Sequence, residues 1–234
     1  MVKAKEVLVA LERLADPDKA AQAAAYFKAQ PGGYGAGDVF LGVRVPELRR
    51  LARAQRTLPL AEVQKLLRSP YHEARLLALL LLVERYRRAG GKEKEEIVDL
   101  YLQNKDSVNN WDLVDSSAPH LLGPYSWESG DQRLLDELAA SSSLWDRRMA
   151  VMATFYFIRR GEFEPTLRLA RKLLTDPEEL VHKAVGWLLR EIGKRDEETL
   201  VAFLEENDAR MPRPMLRYAT EKLPAEARRR FLEA

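Results

Sequence analysis

Residues 108–122 read Val-Asn-Asn-Trp-Asp-Leu-Val-Asp-Ser-Ser-Ala-Pro-His-Leu-Leu. Wound as a helix at 100° per residue, the stretch gathers Trp111, Val114, Asp115, Ala118, Leu121 and Leu122 on one side. That side is expected to be buried, yet it contains Asp115, one turn beyond Trp111. A carboxylate among apolar neighbours costs free energy unless it is paired or hydrogen-bonded. Asp112 points roughly 60° further round and is easier to leave in water. The question is what holds Asp115 in place.

Outward from this stretch the chain reads as helix after helix. Amphipathic patterns fit 2–14, 17–29, 46–55, 59–68, 71–88, 92–103, 108–122, 131–140, 144–160, 164–174, 177–194, 196–206, 212–222 and 224–232. No segment sustains a two-residue alternation rich in Val, Ile and Thr, so the fold class is all-α. The most apolar helices begin near Tyr71, Val108, Leu144 and Val181, in steps of about 36 residues, and a shorter step reaches Met211. Shorter amphipathic helices lie between them. This is the pattern of an α-solenoid of HEAT-like repeats, with the recurrent helices lining a concave surface. A single domain over 1–234 is expected, interrupted by one Gly-rich loop at 30–45. That loop fits neither a Walker motif nor a dinucleotide fingerprint. It reads as a surface connection or as a mobile edge that touches a ligand.

Composition narrows the chemistry. The net charge is +2 with dense charge of both signs, which leaves room for a basic face behind an acidic back. There is no cysteine, which suits a reducing cytoplasm and removes thiolate chemistry. His72, His120 and His182 form no metal-binding motif, so no metal is expected. No apolar run could span a membrane, and nothing in the pattern demands an oligomer, so a monomer is expected.

Two further stretches carry possible chemistry. Between Val181 and Lys194 the apolar face is Val181, Ala184, Val185, Leu188, Leu189 and Ile192. Trp187 lies on the opposite side with Lys183, Arg190 and Lys194. An indole in a stripe of cations suits phosphates and a base or sugar. Equally, Trp187 could pack on the next repeat while the cations stay solvated. Arg147 and Arg148 occupy the first turn of the helix at 144–160, where the helix dipole disfavours cations. Something anionic should offset them: a phosphate, or Asp115 beside Arg148. A buried ion pair without a catalytic role fits the same spacing.

Three segments carry a resemblance: Trp-Asp-Leu-Val-Asp-Ser-Ser-Ala-Pro-His-Leu-Leu-Gly (111–123), Leu-Trp-Asp-Arg-Arg-Met-Ala (144–150) and Lys-Ala-Val-Gly-Trp-Leu-Leu-Arg-Glu (183–191). Together they resemble the signature stretches of the DNA alkylation repair family with HEAT-like repeats, which includes the AlkD-type alkylpurine DNA glycosylases. Gly-Val-Arg-Val-Pro-Glu-Leu-Arg-Arg (42–50) and Tyr26 are similar to its N-terminal region. The resemblance implies that Asp115 is the catalytic carboxylate. It implies that Trp111 and Trp187 cradle the damaged nucleotide, and that Asp112 is structural. Arg148, Lys183 and Arg190 match backbone contacts. Tyr26, Arg44, Arg147 and Lys194 complete the expected DNA-binding set. Asn110 stands where some members carry a second tryptophan, Arg44 where the residue can be Gln, and the Gly-rich insertion at 31–37 is longer than usual.

The implied partner is double-stranded DNA carrying alkylated bases, bound in a concave groove. The implied reaction is hydrolysis of the N-glycosidic bond of cationic purines of the 7-methylguanine or 3-methyladenine type, without a base-flipping pocket and without a cofactor. A cytoplasmic location is expected, at the nucleoid when DNA is bound. The competing readings are a non-catalytic DNA-binding repeat protein and a protein-interaction scaffold.

Overall fold

The computed structural model describes residues 2–233. Among them, fifteen α-helices follow one another: α1 (Ala4–Glu12), α2 (Pro17–Tyr26), α3 (Val45–Ala54), α4 (Leu60–Leu67), α5 (His72–Tyr86), α6 (Gly91–Gln103), α7 (Trp111–Ser129), α8 (Arg133–Ala139), α9 (Leu144–Ala153), α10 (Phe155–Ile158), α11 (Glu164–Lys172), α12 (Glu179–Gly193), α13 (Glu197–Asn207), α14 (Arg213–Ala219) and α15 (Ala225–Glu233). Among the described residues the only β-pairing is an isolated bridge between Val39 and Tyr71. No helix of the described chain is long and apolar enough to cross a membrane. The all-α class read from the sequence holds.

The chain forms two compact units, residues 1–117 and 118–234. In the first, α3 and α4 pack on α5, and α1 packs on α4. Leu77, Leu79 and Leu82 of α5 are completely buried. In the second, α8 packs on α9, α9 on α12, and α12 on α13 and α14. Asp146 to Ala153 of α9 are all buried; Met149 to Ala153 are apolar all round, and the three charged residues before them are buried too.

Local chemistry explains where helices begin and end. Asp16 accepts a hydrogen bond from the Lys19 amide and precedes Pro17 at the first helical position. Asp196 caps α13 through the Thr199 amide at 2.9 Å. Several expected boundaries move. The helix expected at 108 begins at Trp111, because Lys105–Ser107 wind as a 3-10 turn. It then runs through Pro119 and Pro124 to Ser129, although each proline deletes one i→i−4 bond. The helix expected over 144–160 breaks at Thr154. There the hydroxyl donates to the Val151 carbonyl at 2.6 Å, and the Thr166 hydroxyl donates back to it at 2.9 Å.

The repetition is visible inside each unit as the same side-chain device. Arg75, in the first turn of α5, donates to the carbonyls of Ser69 and Pro70 at 3.1 and 3.2 Å. Arg147, in the first turn of α9, donates to those of Ser141 and Ser142 at 3.0 and 2.9 Å. In both, the serine six positions earlier accepts the amide of the residue two beyond it, at 3.2 Å. The two arginines lie two repeat steps apart in the sequence. Each ties a connecting loop to the helix that follows.

Close packing in the second unit depends on Gly186. A Cβ there would stand 2.4 Å from the Met215 carbonyl oxygen and 2.7 Å from the Tyr218 Cβ, so α12 and α14 approach only because none exists. Replacement Gly186→Ala is expected to destabilise the protein by about 1–3 kcal/mol, read as a fall of several degrees in melting temperature. An unchanged melting temperature would contradict this packing.

Candidate active site

In the first unit, the N-terminus of α7 meets the end of α2. Lys28, at φ 50°, turns the chain out of α2, which therefore ends before the residue 29 expected. Tyr26 and Phe27 are left beside Trp111. The Tyr26 ring meets the indole edge-on at 6.0 Å between centroids, and Phe27 lies 5.4 Å from it. Tyr26 is 66% exposed, so this aromatic edge faces solvent.

The conflict at Asp115 resolves through burial. Val114, Ala118, Leu121 and Leu122 are completely buried, whereas Trp111 and Asp115 are only half-buried. The apolar face is therefore complete from Val114 onward, and Asp115 stands at its margin. The carboxylate therefore belongs to the edge of the buried face rather than to its centre.

Asp112 departs from its expected place in water. Its side chain is 15% exposed and accepts from His72 Nε2 at 2.8 Å. The other ring nitrogen of His72 donates to Asp38 at 3.0 Å. Asp38 also receives Arg75 Nη2 at 2.6 Å and Asn109 Nδ2 at 3.4 Å. The imidazole is 2% exposed, and the rings of Phe40 and Phe27 lie against it at 4.6 and 5.0 Å. Burial pulls the imidazole pKa down, but hydrogen bonds to Asp112 and Asp38 override it and raise the value to about 9. Burial likewise works against the Asp38 charge, yet His72 and Arg75 hold its carboxyl below the usual range. The cluster thus alternates in charge: Arg75, Asp38, His72, Asp112.

The Gly-rich loop is tied down. Buried Glu73 accepts the amides of Leu41, Gly42 and Val43 at 2.9, 2.8 and 3.3 Å. Gly42 has φ 77°, and a Cβ there would stand 2.3 Å from the Asp16 carbonyl. Asp38 of the same loop is held by His72 and Arg75. Asp38 and residues 41–43 of the loop are therefore fixed against α5. A cleft of about 520 Å³ opens beside it, lined by Tyr26, Phe27, Phe40, Arg44, His72 and Asp112 among others. Arg44 is exposed and makes no ion pair among the described residues.

In the second unit the expected cations are engaged with protein groups. Arg147 is buried and binds Asp176 through Nε and Nη2 at 2.5 and 3.1 Å, besides its two loop carbonyls. Asp176 is thus an anion that offsets the helix dipole. Arg148 is buried and donates to the Leu180 carbonyl. Lys183 pairs with Glu179 at 2.7 Å, Lys194 with Glu191 at 2.6 Å, and Arg190 with Glu221. Trp187 is half-buried, with its ring 4.9 Å from Phe155.

The sequence pattern of a known family, described as DNA alkylation repair enzyme, matches residues 7–223. The chain belongs to that family. Among solved structures, it is similar to a predicted DNA alkylation repair enzyme from Enterococcus faecalis, with a TM-score of 0.71 at 20% identity over 90% of this chain and 97% of that one. It is also similar to AlkD2 from Streptococcus mutans, with a TM-score of 0.55 at 19% identity over 95% of this chain and 100% of that one. At these identities the likeness speaks for the fold. No curated protein matches the chain.

In this member of the family, the residues that sequence reading missed are Asp38, His72, Phe27 and Phe40. The one available signal was a histidine at the first position of a helix whose middle is an unbroken apolar run. Because the folded pKa of His72 exceeds the 6.5 of a free imidazole, its stabilisation is fully present below pH 6.5 and is lost as pH rises through about 9. The effect is on the order of 3 kcal/mol. Melting temperatures measured from pH 6 to 10 should fall through this window, and a His72→Gln variant should lack that fall. Parallel curves for the two proteins would contradict an ionised His72.

Proposed function

We propose that this family member is a DNA glycosylase that removes cationic alkylated purines. The observation that carries the reading is Asp115: a half-buried carboxylate one turn beyond Trp111, at the margin of an apolar helix face. A carboxylate at the rim can approach a ligand, which one sealed in the core could not.

A purine alkylated at N7 or N3 is already positive, so it leaves without a general acid. The C1′–N bond breaks, its electron pair goes to the base, and a neutral base departs. The sugar becomes oxocarbenium-like, and the Asp115 carboxylate stabilises that charge. Water adds at C1′ and gives up a proton, leaving an abasic site. The face of Trp111 attracts a cationic nucleotide by about 0.5–2 kcal/mol. A neutral purine forgoes that attraction and leaves less readily. No enclosing base pocket enters this scheme, and none is needed when the leaving group carries its own charge.

Tyr26 and Arg44 extend the same edge of the first unit as contacts to the DNA. In the second unit, Trp187 offers an aromatic face, and Lys183, Arg190 and Lys194 offer cations. Exposed ion pairs such as Lys183–Glu179 are worth only about 0–1 kcal/mol, so a phosphate can replace the glutamate. Arg148, buried and bonded to the Leu180 carbonyl, would join the set as a backbone contact only by giving up that bond. Arg147, with its donors taken by Asp176 and two carbonyls, is assigned to the protein interior instead. Duplex DNA with alkylated bases is the partner, bound by a monomer in the cytoplasm or at the nucleoid.

The decisive assay is release of 7-methylguanine or 3-methyladenine from methylated duplex DNA. The wild type should release base, and Asp115→Asn should be slower by about 100-fold or more, with duplex affinity within twofold. Absence of release by the wild type ends the glycosylase reading.

A further inference from the structure

Asp112 and Asp115 stand three positions apart on α7, so they are neighbours on the helix surface. Only Asp112 is gripped by His72. That grip runs onward to Asp38 of the Gly-rich loop, and from there to Arg75 of α5. Three separate parts of the first unit therefore converge on one imidazole: the loop, α5 and the first turn of α7. Trp111 precedes Asp112 directly, and the Tyr26–Phe27 edge leans on Trp111 from the loop side. A rotation of the first turn of α7 would move Trp111 and Asp115 together.

We propose that His72 is a positioning residue for the alkylpurine site: by holding Asp112 against the loop, it fixes the rotation of the first turn of α7 and so the places of Trp111 and Asp115. The inference rests on the glycosylase reading for its catalytic consequence, but the positioning itself is a statement about the fold. The hydrogen bonds require both ring nitrogens to donate, since each faces a carboxylate. A pKa of about 9 keeps the ring in that form at neutral pH. The charged groups facing His72 are Asp38 from the loop, Asp112 from α7 and Arg75 within its own helix. Glu73 lies next to it, with its carboxylate turned to the loop amides.

The role separates from ordinary core packing by a conservative pair of substitutions at Asp112. The amide introduced by Asp112→Asn keeps an acceptor for His72, whereas the methyl group left by Asp112→Ala does not. The first variant therefore tests the charge, and the second tests the grip. With methylated duplex DNA, His72→Ala and Asp112→Ala are expected to lower kcat at least tenfold, with KM and duplex affinity within twofold. Asp112→Asn is expected to stay within threefold of wild-type kcat. A folded His72→Ala with wild-type kcat overturns the proposal, and so does an Asp112→Asn as impaired as Asp112→Ala, which would make the Asp112 charge itself the active group. Should His72→Ala fail to fold, the two Asp112 variants decide, because Asp112 lies outside the apolar core. The Trp111 indole N–H resonance, identified by its loss in Trp111→Phe, should move in Asp112→Ala and stay in Asp112→Asn. A resonance that stays in both overturns the proposal even if the wild type releases no base, a result that would sink only the glycosylase reading.

Discussion

A buried imidazole between two carboxylates organises the first unit. His72 has no water to share its charge with, so the charge persists only because Asp38 and Asp112 both accept from it. Removing one partner from such a cluster leaves an uncompensated buried charge, which costs more than the pair contributes. Asp38 in turn needs Arg75, and Arg75 ties the loop carbonyls of Ser69 and Pro70 to α5. The cluster is therefore a specification device as much as a source of stability. It dictates which loop conformation and which rotation of α7 are compatible with a closed core.

The helices were largely legible because their signal is local. Periodicity of 3.6, the Asp16–Pro17 start and the capping Asp196 all act within a turn or two of the residues that carry them. The misplaced boundaries of α7 and α9 arose from a 3-10 turn, tolerated prolines and side-chain hydrogen bonding. Thr154 breaks its helix by bonding back to Val151 and across to Thr166, twelve positions away. Nothing in the pattern around Thr154 distinguishes it from a threonine that does neither.

The site was legible in part. Asp115 and Trp111 stood out as a carboxylate and an indole in one apolar stripe, and burial shows why both can sit there: they are its rim. The His72 cluster was not legible, because its members come from 34 and 40 positions away in the sequence and share no local motif. Arg147 misled for the same reason. Its anion, Asp176, lies 29 positions downstream, so a first-turn arginine looked available when it was already engaged. The stripe of Lys183, Arg190 and Lys194 shows a milder form of this. Its cations are where the helical angle puts them, and Lys183 and Lys194 pair with glutamates one turn away on the same helix, but Arg190 is paired with Glu221, 31 positions downstream.

The grip of His72 on both carboxylates depends on the protonation of one ring. Nitrogen-15 NMR of the imidazole of His72, assigned with a His72→Gln variant and recorded on the folded protein at pH 7.5, reads it directly. Two protonated ring nitrogens, each coupled to its own hydrogen, are the predicted result. A single protonated nitrogen beside a bare one would leave one of the two carboxylates without a donor, and would contradict the cluster as the organiser of the site.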